Sequence, residues 1–151
     1  MKKMTAVFFA LCITVSTFAA GKGWLTNIDE AMKLSAKTGK PILLEFAGSN
    51  WCPPCMRLKK EVFDQKEFKD FAKDNLILIL ADFPRPSNLS EKQKLHNQKL
   101  ASKYKIRYFP TVLLLDSKGK VIFQTGYKRG GAAKYVAHLK AKLPAKKTAK
   151  K

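Results

Sequence analysis

Trp51-Cys52-Pro53-Pro54-Cys55 is the stretch of this chain whose residue types and spacing suit covalent chemistry. Two thiols separated by two residues can close on each other as a disulfide. They stand where a short apolar run, Ile42 to Phe46, passes through Gly48-Ser49-Asn50 into a segment of helical character. A thiol at a helix start faces unsatisfied backbone N–H groups and the positive end of the helix dipole. Both favour the thiolate, the form that attacks a disulfide. Cys52 is therefore expected to be the exposed nucleophile. Cys55, one turn further in, is expected to be the shielded thiol that resolves a mixed disulfide. Pro53 suits the first helical turn, where its missing N–H is not needed. Pro54 removes another donor that would hold a Cys52 thiolate, and a less stabilised thiolate corresponds to a more reducing disulfide.

Two other readings of the pair are weaker. As a structural disulfide it would close a loop too short to restrain much of the unfolded chain. As a metal site it lacks partners. His96 and His138 are the only histidines, neither stands at ligand spacing from the cysteines, and each reads as a surface residue on a basic helix. No metal is expected.

The elements that must hold the pair follow from periodicity. Asn27 with Glu30 has the spacing of a capping box, and Ile28, Ala31, Met32 and Ser35 recur at helical spacing until Gly39 and Pro41. Ile42 to Phe46 has the length of a buried strand, and so does Leu76 to Ala81. Between them the chain reads as helix in two pieces, the second capped by Asp64 with Glu67. Ser90 with Gln93 starts a further helix carrying Leu100, Ala101 and Tyr104 on one side. Val112 to Leu115 and Val121 to Gln124 flank the hairpin signal Asp116-Ser117-Lys118-Gly119. After Gly130-Gly131, a last helix turns Ala132, Tyr135, Val136, Leu139 and Leu143 inward. Trp24 reads as a packing aromatic. Helices alternating with strands imply parallel crossovers, and the closing hairpin is antiparallel. The fold class is α/β, a mixed central β-sheet flanked by helices on both faces.

The chain has 151 residues, 46% of them hydrophobic and 27% charged, enough to bury the core of one domain. Thirty Lys and Arg against 11 Asp and Glu give a formal charge of +19, and three cysteines are too few for a disulfide-dense scaffold. Lys2 and Lys3, the apolar stretch Met4 to Val15 and the small residues Ala19, Ala20 and Gly21 follow the order of a secretory signal peptide. Residues 1–20 are assigned to it, with cleavage within 19–21. Cys12 leaves with the signal, so the exported chain keeps only Cys52 and Cys55. Residues 21–143 form the domain, and 144–151 form a lysine-rich tail expected to be disordered. Lys140 onward holds six lysines and no acid, and Arg85 to Arg107 holds seven basic residues against Glu91. Such charge suits acidic proteins or anionic membrane surfaces. A nucleic-acid partner is not expected of an exported chain without aromatic residues interleaved among its cations.

Four segments together resemble the thioredoxin family. They are Pro41 to Phe46, Trp51 to Cys55, Tyr104 to Thr111, and the Val112 to Gln124 hairpin with Gly126. The similarity runs from Trp24 to about Leu143, nearly the whole exported chain. Glu61-Val62-Phe63 and Asp82-Phe83-Pro84-Arg85 further resemble a bacterial subgroup close to the C-terminal domain of the membrane thiol:disulfide interchange protein. The resemblance implies a thioredoxin fold and an exported, periplasmic thiol:disulfide oxidoreductase. It also implies that Pro110 is the cis-proline against the redox pair, turning the Phe109 backbone toward a substrate strand. Glu45 takes the place of the buried acid that assists proton transfer at the resolving cysteine. The chain departs from the pattern in three places. The acid is Glu rather than Asp, the loop Gly48 to Asn50 is one residue longer than in thioredoxin, and Tyr108 replaces a small residue, which would narrow the substrate groove.

The expected site is thus Cys52 and Cys55 as a redox-active disulfide, with Pro110 and Glu45 in catalysis and Trp51, Phe109 and Tyr108 against the substrate. Protein disulfides are the expected substrates, a membrane thiol-transfer protein is the expected electron donor, and no cofactor is needed. A monomer is expected, and reduction is the favoured direction. The alternatives are an oxidase or isomerase of the same fold, or a non-catalytic binding module tethered by its basic tail.

Overall fold

The computed structural model describes residues 23–144. The expected signal segment, its cleavage window, Cys12 and the tail beyond Pro144 lie outside them. In chain order the elements are β1 (Trp24–Leu25), α1 (Ile28–Thr38), β2 (Ile42–Ala47) and α2 (Pro53–Leu58), which runs into a π-helical turn at Lys59–Phe63. Then come α3 (Lys66–Asn75), β3 (Ile77–Asp82), α4 (Glu91–Lys103), β4 (Thr111–Leu115), β5 (Val121–Thr125) and α5 (Gly131–Lys140).

The sheet order is β1-β3-β2-β4-β5. β3 pairs in parallel with both β1 and β2, whereas β4 is antiparallel to β2 and β5. β2 lies between β3 and β4, and all six of its residues are buried. A strand covered on both faces loses its polar alternation, which is why Ile42 to Phe46 reads as a continuous apolar run.

Alternate residues of β2 serve two cores. Ile42, Leu44 and Phe46 join Leu113, Leu115 and Ile79 beneath Ile28 and Ala31 of α1 and Leu100 of α4. Leu43 joins Val112 and Leu114 on the other face, under Leu58, Phe68, Phe71, Tyr135 and Leu139 from α2, α3 and α5. The helices therefore cover both faces, as the pattern requires.

Local signals hold at most of the helix ends. Asn27 Oδ1 accepts from the Asp29 and Glu30 N–H groups, and Ser90 Oγ accepts from the Gln93 N–H. Two expectations differ. α3 begins after Gln65 with no side-chain cap, because the Asp64 carboxylate is held by Lys59 Nζ at 2.6 Å. The described residues also open with a strand that the sequence does not suggest. β1 is two residues long, too short to show a period, and its Trp24 ring packs 5.1 Å from Phe63.

Candidate active site

The loop after β2 is shaped by close packing. A Cβ on Gly48 would overlap the Trp51 indole, so only glycine leaves room for the ring. The Cys52 N–H donates to Gly48 O at 3.0 Å, folding the chain tightly into α2. Cys52 is the N-cap of that helix, with Pro53 and Pro54 as its first two residues. Because both prolines lack an N–H, the Cys55 amide is the donor that meets Cys52 Sγ, at 3.4 Å. Cys52 and Cys55 form a disulfide, their Cα atoms 5.3 Å apart.

Ala47, Cys52 and Cys55 make a small core of their own, against which Trp51, Leu80 and Phe109 pack. Cys52 is 4% exposed and Cys55 2%, so the expectation of an open Cys52 is corrected. In the oxidised pair the neighbouring aromatic rings shelter both residues. The Phe109–Pro110 peptide bond is cis. Thr111 Oγ1 donates to Tyr108 O at 2.7 Å, tying down the turn before β4. A Cβ on Gly126 would come within 2.9 Å of Pro110 O, so this glycine lets the chain after β5 pass close to the proline. Tyr108 is 60% exposed, and its hydroxyl accepts from Gln124 Nε2 at 3.0 Å.

Glu45 points from β2 to the same face as Leu43 and Ala47, and it is 5% exposed. Burial, with a smaller contribution from the Asp82 charge, pushes its carboxyl up to about 8, against the opposing pull of Lys59. It lines a cavity of about 710 Å³ that runs past Lys59, Phe63, Phe68, Leu78 and Leu80. Glu45 is thus a neutral acid at pH 7, two strand positions from the residue that touches the disulfide. The structure groups Trp51, Cys52, Cys55 and Phe109, has Pro110 follow Phe109 through the cis bond, and places Glu45 on β2 two residues before Ala47. It leaves Tyr108 at the rim.

The fastening of the loop before the cysteines escapes the sequence reading. Ser49 is fastened to the last residue of β3, and Asn50 and Trp51 to the segment after it. Ser49 N–H and Oγ donate to the two carboxylate oxygens of Asp82 at 2.9 and 2.6 Å. Asn50 exchanges two hydrogen bonds with the Arg85 backbone, both 2.9 Å. Trp51 Nε1 donates to Phe83 O at 2.6 Å. Phe83 stacks on Phe109 with centroids 5.2 Å apart, and the Arg85 guanidinium lies 4.1 Å from the Trp51 ring centroid. The signal for this clamp is the extra loop residue together with polar Ser49-Asn50 ahead of the cysteines. The histidines also differ from expectation. The Ile28 N–H meets His96 Nε2 at 3.3 Å, and His138 sits against Phe123 with Nε2 3.1 Å from Thr125 Oγ1. Among the described residues, no group of three or more His, Cys, Asp or Glu is placed to hold a metal ion.

Comparison with known proteins gives a consistent picture. The profile of the family described as thioredoxin-like domain matches residues 28–142. The disulfide bond reductase DsbH of Chlamydia pneumoniae is 37% identical over 125 residues, which span 83% of this chain and 75% of that protein. A solved structure of DsbH oxidoreductase superposes with a TM-score of 0.75 at 36% identity, covering 78% of this chain and 81% of that one. The oxidised DsbD C-terminal domain of Neisseria meningitidis gives a TM-score of 0.56 at 19% identity, over 77% and 90% of the two chains, a likeness of fold.

Proposed function

This chain belongs to the thioredoxin-like family, and on that premise we propose that it is an exported protein-disulfide reductase. The observation that supports this most directly is a Cys-Pro-Pro-Cys disulfide at the start of α2, with Phe109 packed against it. The similarity to a protein named disulfide bond reductase supports the same direction.

In the reduced enzyme, the Cys52 thiolate attacks one sulfur of a substrate disulfide. A Cys52–substrate bond forms and the first substrate thiolate leaves. Cys55, deprotonated, then attacks Cys52 Sγ. The second substrate thiolate leaves, and Cys52–Cys55 closes. Two electrons pass to the substrate, whose thiolates take up two protons. Glu45, mostly protonated at pH 7 and ionising near pH 8, can take the Cys55 proton only in its ionised form, so its help grows as pH rises toward 8 and water accepts the proton below that. Phe109 and Pro110 offer backbone to the substrate strand, and Trp51 and Tyr108 flank it. The pair must then be re-reduced by a thiol donor of the exported disulfide-exchange system, and a membrane thiol-transfer protein fits that role. Residues 1–20 serve as the signal for export and the lysine tail as a contact for acidic surfaces. The enzyme acts as a monomer without metal or organic cofactor.

The test is a trapping experiment. The reduced Cys55→Ser protein should accumulate a mixed disulfide with insulin through Cys52, while the Cys52→Ser protein traps nothing and reduces nothing. Insulin reduction by Cys52→Ser at the wild-type rate would overturn this mechanism. Net oxidation of reduced substrates by the disulfide form, with no reduction by the dithiol form, would favour the oxidase.

A further inference from the structure

Beside the redox pair lies a second, smaller pocket of about 240 Å³, which the reaction as described does not use. Its walls include Trp51, Phe83 and Phe109, and its charged lining is Arg85, Lys94 and Asp82. Trp51 and Phe109 also pack against Cys52 and Cys55. The pocket and the disulfide therefore share two walls, and a polypeptide joined to Cys52 would carry a neighbouring side chain past the opening.

The charges are not equally available. Both Asp82 oxygens are occupied by Ser49, and Lys94 Nζ lies 2.6 Å from Glu91. Arg85 is exposed, and among the described residues it has no carboxylate partner. Its guanidinium lies over the Trp51 ring. A guanidinium stacked on a ring keeps its N–H donors in its own plane, where they can meet a carboxylate through two parallel hydrogen bonds. Its backbone is fixed on both sides by Asn50. The cation is therefore held in place rather than carried on a loose loop.

We propose that this pocket is a specificity subsite, with Arg85 as its reading residue, for an acidic side chain flanking the disulfide of a substrate polypeptide. The inference rests on the reductase reading and adds a substrate class to it. Aromatic walls alone would suit an apolar side chain. The unpaired guanidinium tips the preference, because leaving it unmatched under a bound apolar group would strip its hydration without return.

Two peptide disulfides decide the matter, identical except that the residues flanking each cysteine are Glu in one and Gln in the other. Second-order rates of their reduction by the dithiol form of the full chain are compared as a ratio. The wild type should favour the Glu peptide about tenfold, the scale of one charge-assisted contact. In Arg85→Gln the ratio should fall to within about twofold of unity, and Arg85→Lys should keep a severalfold preference. Lys99→Gln, an exposed change elsewhere on the basic α4, should leave the ratio as in the wild type. A wild-type ratio near one overturns the subsite. So does a wild-type preference that survives in Arg85→Gln or is lost in Lys99→Gln, since the overall positive charge would then be its source. Failure to reduce either peptide overturns the reductase reading itself, and the subsite falls with it.

Discussion

On one face of β2, Ile42, Leu44 and Phe46 are fully buried against the core under α1 and α4. On the other face, Leu43, Glu45 and Ala47 lead from the core under α2, α3 and α5 to the disulfide. One strand thus carries an unbroken apolar row and, one residue out of phase, a row interrupted by a carboxyl. The first row obeys the rule that a central strand is apolar on both sides. The second breaks it at one position, two residues before the Ala47 that packs with the reactive pair, and tolerates an acid whose ionisation is displaced to about 8. A departure from local consistency in an otherwise regular core marks where stability gives way to chemistry.

The comparison yields graded expectations. The largest effect belongs to the reactive end of the second row. Cys52→Ser should lower insulin reduction by at least about a thousandfold while the thermal unfolding transition remains, because Cys52 alone attacks the substrate disulfide in this mechanism.

Next is Glu45→Gln. The native carboxyl titrates near 8 and the unfolded one near its ordinary value of 4.5, so the native state holds more protons between those limits. The wild type should accordingly lose stability as pH rises from about 4.5 to about 8 and level off above that. The glutamine variant should lack this slope and exceed the wild type by on the order of 4 kcal/mol at pH 8.5, with little difference at pH 4.5. Urea unfolding at several pH values measures both. Parallel pH profiles for the two proteins would show that Glu45 is not the buried acid described here.

Leu44→Ala changes the regular face instead. It should cost roughly 2–5 kcal/mol by cavity formation, with no new pH dependence. A change in the reduction potential of the disulfide would contradict the separation of the two faces. The smallest effect is expected at the clamp. Asn50→Ala removes two exposed hydrogen bonds to Arg85 and should cost about 1 kcal/mol. The Arg85 amide should then exchange faster with solvent, read by hydrogen-exchange mass spectrometry or NMR.

Much of this was legible in the residues. The order of long elements follows from apolar runs and caps such as Asn27 and Ser90, and the Cys-Pro-Pro-Cys turn announces its own chemistry. The parts that were not legible share a cause. β1 is two residues long and gains its pairing only from β3, so it has no period to read. Asp64 could cap a helix or pair with a lysine, and only the fold brings Lys59 within reach. Part of the shelter around Cys52 comes from Leu80 and Phe109, distant in sequence. The clamp joins residues 32 to 35 positions apart, a contact that no local pattern encodes. Arg85, visible in the sequence as one cation among many and as the end of the Asp82-Phe83-Pro84-Arg85 resemblance, acquires a role of its own from the ring beneath it.

The most direct measurement is the equilibrium reduction potential of the Cys52–Cys55 pair in the exported chain, taken against glutathione and dithiothreitol buffers. With both prolines removing donors from the start of α2, the expected value lies at or below roughly −230 mV, toward that of thioredoxin. A value between roughly −120 and −180 mV would place the pair among oxidants and isomerases and contradict the reductase.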